Sequence, residues 1–368
     1  MSALYSEIMR LFSILALVVA VSFLGVSCSD KIDIAAPYKN ITVVYGFLDQ
    51  ADTAHYVRIQ KAFLDNNASA LTMSQNADSS YYPQLNVMME RLDGNYNLID
   101  TIHLTRVDLT AEGYPKPTGT FFNTPNYAYK FKSAVSTSVL FYRLVISNPL
   151  TGEVDSVLTP TLDDVTPGVF SVDKITDTSV FNSYIDFNST IAGSVLNLSG
   201  TYTPTNTSVA NPVGILQGIL RFNWTDSNSL QHTMTPQSVD VNLGYTAMNH
   251  NAFDFQVANS SLYTALANGM GPAPLGVYRL LGRCQLFVYI STNDFNTYVQ
   301  VSEAAGTGLT GSSIEPTWTN IAGKNVLGLY TSRGSQSGYV TISVPTVDSL
   351  LISPLINPLC KLVNTTYH

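Results

Sequence analysis

The chain has 368 residues, 45% of them hydrophobic, enough apolar material for a sizeable core, which excludes a chain too polar to fold. Only 12% of residues are charged and the net charge is −8, so this acidic chain without basic clusters is excluded as a nucleic-acid binder.

In chain order, Leu11 to Leu24 comes first, an uncharged apolar run. At ~1.5 Å per residue, its roughly fourteen residues fall short of the ~20 needed to span a bilayer core. A short apolar run beside a positive charge, followed by small residues, predicts an export signal rather than a membrane span. Glu7 cancels Arg10, and a start at Met9 gives the better signal. Next comes Gly25-Val26-Ser27-Cys28, which resembles the lipobox of bacterial lipoproteins. That resemblance implies that residues 1–27 are a removed signal peptide and that Cys28 carries the lipid, palmitate included, on a tether over 28–38. Gly25 stands where the pattern usually has Leu, with Leu24 one place earlier. Two or more acyl chains, at ~0.8 kcal/mol per buried methylene, make such an anchor effectively permanent. Ser29 stands where an inner-membrane retention signal has Asp, which points to the outer membrane. Asp30 and Asp33 loosely resemble a cell-surface tag, and a plain solvated tether is the alternative.

From about residue 41, apolar and polar residues alternate with period two, the mark of strands with one face inward. Val57 and Ile59, then Leu85, Val87 and Met89, then Tyr142, Leu144 and Ile146 form such runs, with turn chemistry at Asp93-Gly94 and Asn148 to Gly152. Together they predict an immunoglobulin-like β-sandwich over 39–160. The Pro- and Asp-containing stretch 161–168 reads as a linker before a second β-rich domain, 169–368. There Leu220, Phe222 and Trp224, then Val239, Val241 and Leu243, then Val340, Ile342 and Val344 alternate again. Two short helices are expected: Ser261 to Asn268, ended by Gly269, and Asn293 to Ala305, capped by Ser291 or Thr292. The fold class expected is all-β and mainly antiparallel, with a few short helices.

The segments Ile41 to Asp49, Tyr56 to Phe63, Phe141 to Gly152 and Thr319 to Arg333 resemble an uncharacterised outer-membrane lipoprotein family, domain of unknown function 4249. The resemblance spans most of the mature chain. It implies an accessory protein beside a TonB-dependent transporter, and it implies no catalytic residue.

Motifs that carry chemistry are sparse. Gly306 to Gly311 matches GxGxxG, but a helical pattern precedes it and Pro316 follows, so it reads as a loop and no cofactor is expected. His55, His103, His232, His250 and His368 lie far apart and form no metal motif. Asp163-Asp164 is a carboxylate pair within the linker; adjacent strand residues point to opposite faces, which argues against two-acid catalysis. Cys284 and Cys360 are the thiols left beside Cys28. Whether they pair, closing a loop of roughly 75 residues worth on the order of 4 kcal/mol, or are separately buried stays open. Of the plentiful aromatics, Trp224 is in phase with a core face, while Trp318, Tyr81 and Tyr82 are candidate binding-surface residues. Asp-Ser/Thr-apolar tripeptides mark Thr53, Thr101, Ser156 and Ser349 as candidate O-glycosylation sites, because they resemble a bacterial acceptor pattern. The functional expectation is a non-catalytic accessory component held in the membrane by its lipid. The alternatives are a structural or adhesive surface protein, and a hydrolase whose site assembles from distant residues.

Overall fold

A computed structural model describes residues 41–62, 69–136, 139–162, 170–172, 184–188, 193–202, 212–307 and 318–363. Cys28 with its signal and tether, Asp163, Asp164, His368 and most of the GxGxxG segment lie outside the described residues.

The first half supplies β1 (Thr42–Asp49), β2 (Ala54–Lys61), β3 (Asn86–Leu92), β4 (Leu98–His103), β5 (Thr105–Asp108), β6 (Tyr127–Lys132), β7 (Phe141–Ser147) and β8 (Val154–Pro160). Then come β9 (Phe170–Val172), β10 (Tyr184–Ile185), β11 (Val195–Tyr202), β12 (Val213–Asn228), β13 (Thr233–Ala247) and β14 (Ala252–Ala258). The last strands are β15 (Val277–Leu281), β16 (Cys284–Thr292), β17 (Val326–Ile342) and β18 (Leu362–Val363). Helices are short: α1 (Ala70–Ser74), α2 (Ala77–Ser80), α3 (Asn259–Met270), α4 (Asn293–Thr307), α5 (Val344–Ile352) and α6 (Asn357–Cys360). The fold is all-β with mainly antiparallel sheets, as the period-two alternation predicts.

Strands β4-β3-β7-β8 form one sheet, β14-β11-β9 a second, and β18-β15-β12-β16-β17-β1-β2-β6-β5 the main path of a third. The four-stranded sheet lies over β1, β2, β6 and the start of β17. Val87, Met89, Leu144 and Ile146 from one side meet Val44, Val57, Phe131 and Tyr330 from the other. A second hydrophobic cluster lies further along the large sheet, where Phe222, Leu286 and Val288 pack with Leu196, Leu198, Leu262 and Leu350. Each fully buried side chain of this size contributes ~1.5–3 kcal/mol, so these two clusters hold the fold.

The halves on either side of the predicted linker have their own clusters, yet they share a sheet. β1 runs parallel to β17 from Thr42↔Val326 to Asp49↔Arg333, and all described residues belong to one compact unit. One face of β17 serves both cores, with Tyr330 in the first and Val340 and Ile342 in the second. At Gly328, where φ is 115°, a Cβ would lie 1.9 Å from the Val44 carbonyl oxygen, so only glycine allows β1 and β17 this close.

Three local expectations change. The strand expected through Val344 stops at Ile342, and Val344 opens α5: Pro345 lacks an N–H for a ladder, and Ser343 Oγ accepts from the Thr346 N–H as an N-cap. Helix α3 runs past Gly269 to Met270 and is closed by Gly271 at φ 58°. Gly269 stays inside because Val239 packs flush against it. Neither Ser291 nor Thr292 turns its hydroxyl to cap α4. Ser291 Oγ donates to the Ser332 carbonyl (2.8 Å) and Thr292 Oγ1 bonds Thr331 Oγ1 (2.5 Å), both across to β17.

Candidate functional site: an aromatic and arginine face

Alternation on the large sheet buries every second residue and turns the others to the opposite face. On β16, Leu286, Val288 and Ile290 are buried, while Phe287 and Tyr289 are half-buried on the outer side. Register extends this outer face across neighbouring strands. Tyr289 lies between Gln217 of β12 and Ser335 of β17, Gln217 pairs with Tyr245 of β13, and Arg333 pairs with Asp49 of β1.

Helix α4 crosses this face. Its start sits tight on β12 because residue 214 is glycine: a Cβ there would lie 2.5 Å from the Asn293 Cα. The helix brings Phe295 edge-on to Phe47 (5.4 Å between centroids) and to Tyr245 (5.9 Å). One turn on, Tyr298 stands 6.4 Å from Tyr45 and 6.5 Å from Trp318. Beneath Phe295 lies a cavity of about 120 Å³, walled by Phe47, Tyr245, Tyr289 and Arg333 over a floor that includes Gln217.

Arg333 is held from three sides. Its Nε donates to Asp49 Oδ2 (2.6 Å), and its guanidinium lies 5.4 Å from the Phe47 ring centre and 5.3 Å from that of Tyr289. Asp49 is buried, and its Oδ1 accepts from the Ala51 N–H (3.0 Å), so the carboxylate is fixed. Two more arginines stack along the same face. Arg221 makes a two-point ion pair with Asp240 (2.6 and 2.8 Å) and lies 4.7 Å from the Phe287 ring centre; Arg283 lies 5.1 Å from that of Tyr339. From Arg333 to Tyr339 the face extends ~20 Å along β17. Burial and the negative charge of Glu303 raise the Tyr245 phenol above its ordinary range.

The binding-surface candidates separate. Trp318 is half-exposed at the edge of the aromatic group. Tyr81 and Tyr82 are buried instead, which corrects their placement on a surface. The Tyr81 hydroxyl accepts from the Tyr127 N–H (3.1 Å), and the Tyr82 hydroxyl bonds Thr42 Oγ1 (2.9 Å). Their phenols serve as buried hydrogen-bonding groups, a role a Tyr-Tyr pair does not announce.

The thiols do not pair. Cys284 is buried on β16 opposite Val340, and Cys360 Sγ lies 3.4 Å from the Gly271 carbonyl; burial raises both thiols above their ordinary range. Of the O-glycosylation candidates, Thr53 and Thr101 are exposed. Ser156 is half-buried in β8, and Ser349 donates to the Asn188 carbonyl (2.5 Å). His55 is buried, stacked 4.6 Å from Phe131, and bonded through Nε2 to the Ser133 carbonyl oxygen; burial lowers its pKa. Among the described residues, no three His, Cys, Asp or Glu side chains gather as a metal site would need. Trp224 is a core residue, as its phase predicts, with Nε1 donating to Asp226 (2.9 Å).

Sequence reading passed over Phe47, Tyr245, Tyr289, Phe295 and Arg333. For Phe47 and Tyr289 the one signal was parity: on β1 and β16 the positions out of phase with the core include aromatic pairs, Tyr45 with Phe47 and Phe287 with Tyr289.

No family model matches the chain, and no curated protein matches it. Among solved structures, trypsin-activated alpha-2-macroglobulin from Escherichia coli is similar at 7% identity and TM-score 0.20, covering 83% of this chain and 16% of that one. The C-terminal globular domain of an oligosaccharyltransferase from Pyrococcus abyssi is similar at 8% identity and TM-score 0.16, covering 61% of this chain and 41% of that one. The chain thus spans less than half the length of either, and neither likeness carries fold or function across.

Proposed function

We propose that the protein is a lipid-anchored outer-membrane component that acts by binding, and that it holds another envelope protein through the face around α4. The observation that carries this reading is the run of half-exposed aromatic rings stacked with Arg333, Arg221 and Arg283. Tyrosine, tryptophan and arginine are the residues enriched where protein interfaces concentrate their binding energy. Each arginine is already oriented by a ring or a carboxylate, so little side-chain freedom is lost when a partner docks. Ser291, which also lines the cavity, uses its hydroxyl on a backbone carbonyl and serves structure rather than attack on a substrate. The lipobox-like Gly25 to Cys28 supports the anchor. The resemblance of Ile41 to Asp49 and Thr319 to Arg333 to the lipoprotein family supports a β-barrel transporter as the partner.

A mild-detergent pull-down of tagged protein from its native outer membrane tests this, with Cys28→Ala and Phe295→Ala as controls. One large barrel protein should be recovered in stoichiometric amount and lost in both controls. Recovery of the tagged protein alone would refute a stable complex.

A second reading, adhesion, is favoured by one separate feature. The β12–β13 hairpin end and the start of β15 expose Leu230, Met234, Leu275 and Tyr278 together, with Ser227 paired to both Met234 and Tyr278.

A further inference from the structure

The cavity under Phe295 has a size and a wall chemistry that narrow what it can take. An apolar cavity of ~150 Å³ accepts one benzene-sized ring, whereas sites for drug-sized ligands begin near ~300 Å³. At about 120 Å³ this cavity has room for a single ring. Phe47, Tyr245, Tyr289 and Phe295 supply flat apolar walls, and Arg333 supplies the charged one.

The state of Arg333 decides what that ring carries. Asp49 engages only Nε, and among the described residues neither Nη donates to a protein acceptor. The other oxygen of Asp49 accepts from the Ala51 N–H, which holds the carboxylate on the Nε side. Phe47 and Tyr289 fix the guanidinium plane. A guanidinium held in this way offers two parallel N–H donors, the geometry that matches a carboxylate.

We infer that the cavity binds one planar ring bearing a carboxylate, with the ring among Tyr245, Tyr289 and Phe295 and the carboxylate on the Nη edge of Arg333. This rests on the binding reading above and names its chemistry. The Arg333–Asp49 pair is neutral overall, so selectivity comes from donor geometry, and an uncharged isostere loses most of its affinity.

The test uses the whole protein in detergent, with benzoate as probe, benzamide as its uncharged isostere, and ligand-observed NMR titration as readout. Benzoate should bind saturably and at least ~10-fold more tightly than benzamide, about the discrimination of one charge-assisted hydrogen bond. Arg333→Gln, which removes the cation, should abolish that preference, and Gln217→Trp, which places a large ring in the cavity and leaves Arg333 and Asp49 unaltered, should abolish binding. Equal binding of the two probes, or no binding of benzoate to the unaltered protein, would overturn the inference whether or not either variant folds. The pull-down separates the two claims: a partner recovered while benzoate does not bind leaves the binding reading standing and removes only the ring-carboxylate site. Displacement of that partner by benzoate assigns the carboxylate to its polypeptide. Binding without displacement assigns it to a free acid.

Discussion

Two groups of tyrosines in this molecule have opposite surroundings. Tyr142, Tyr263 and Tyr330 are wholly buried in the two cores, whereas Tyr45, Tyr245 and Tyr339 on the outer face of the large sheet are 40, 42 and 49% exposed. One strand carries a member of each group: Tyr330 and Tyr339 are both on β17, on opposite faces. The inner rings hold the sheets together. The outer rings group around α4 and three arginines, where they add little to the core. Composition alone cannot separate these roles, and strand parity does.

The largest expected effect is on the inner group. Tyr330→Ala should lower unfolding free energy by ~3–5 kcal/mol, because it removes a fully buried ring shared by β1 and the first core. Tyr245→Ala should change it by less than ~1 kcal/mol. Urea midpoints of the two variants measure the contrast, and similar losses would erase the distinction between the faces.

Asp49→Asn comes next. It leaves Arg333 without its charged partner, but that guanidinium is partly open to water, so a loss of ~1–2 kcal/mol is expected rather than the larger cost of a sealed pair. Denaturation in low and high salt would check this. A neutral result would mean that the stacked rings alone fix Arg333.

A smaller, pH-dependent effect is expected at Asp155 in the first core's sheet. Burial raises its carboxyl above the ordinary range, so the folded state holds this proton more tightly than the unfolded chain does. Its charged form therefore destabilises the fold at neutral pH, and the penalty fades as pH falls through the folded-state titration. Asp155→Asn should accordingly stabilise at neutral pH, with the gain shrinking towards the unfolded carboxylate range. Thermal midpoints of the two proteins across acid pH give the curve, and a gain that grows in acid would contradict it.

The smallest effect concerns the thiols. Reductant should leave the urea midpoint unchanged, and Cys284 and Cys360 should both react with a thiol reagent only on unfolding, since both are free and buried. A midpoint lowered by reductant would mean that they pair.

Much of the fold was legible because half-buried antiparallel strands alternate. Val57/Ile59, Leu144/Ile146 and Leu220/Phe222 all face the cores that their phase predicts. The joining of the two halves was not legible. The β1–β17 pairing links residues 284 apart, such as Asp49 and Arg333, and no local pattern encodes that register. The candidate site was missed for the same reason: Phe47, Tyr245, Tyr289 and Phe295 belong to four separate elements and meet only through sheet register and the close seat of α4 at Gly214. Trp318, two residues after Pro316 in a polar stretch, is half-exposed. Tyr81 and Tyr82 misled because a tyrosine pair looks alike whether its hydroxyls meet water or partners inside the protein, here the Tyr127 N–H and the Thr42 hydroxyl.

If the outer aromatic face is where this protein meets its partner, site-specific photo-crosslinking in native membranes tests it most directly. The reactive group is placed at position 245 in one sample and at position 98 in another. Position 98 is also exposed and lies on β4, at the edge of the four-stranded sheet. One discrete high-mass adduct is expected from position 245 and none from position 98. Adducts of equal yield from both positions, or from position 98 alone, would contradict a partner-binding role for this face.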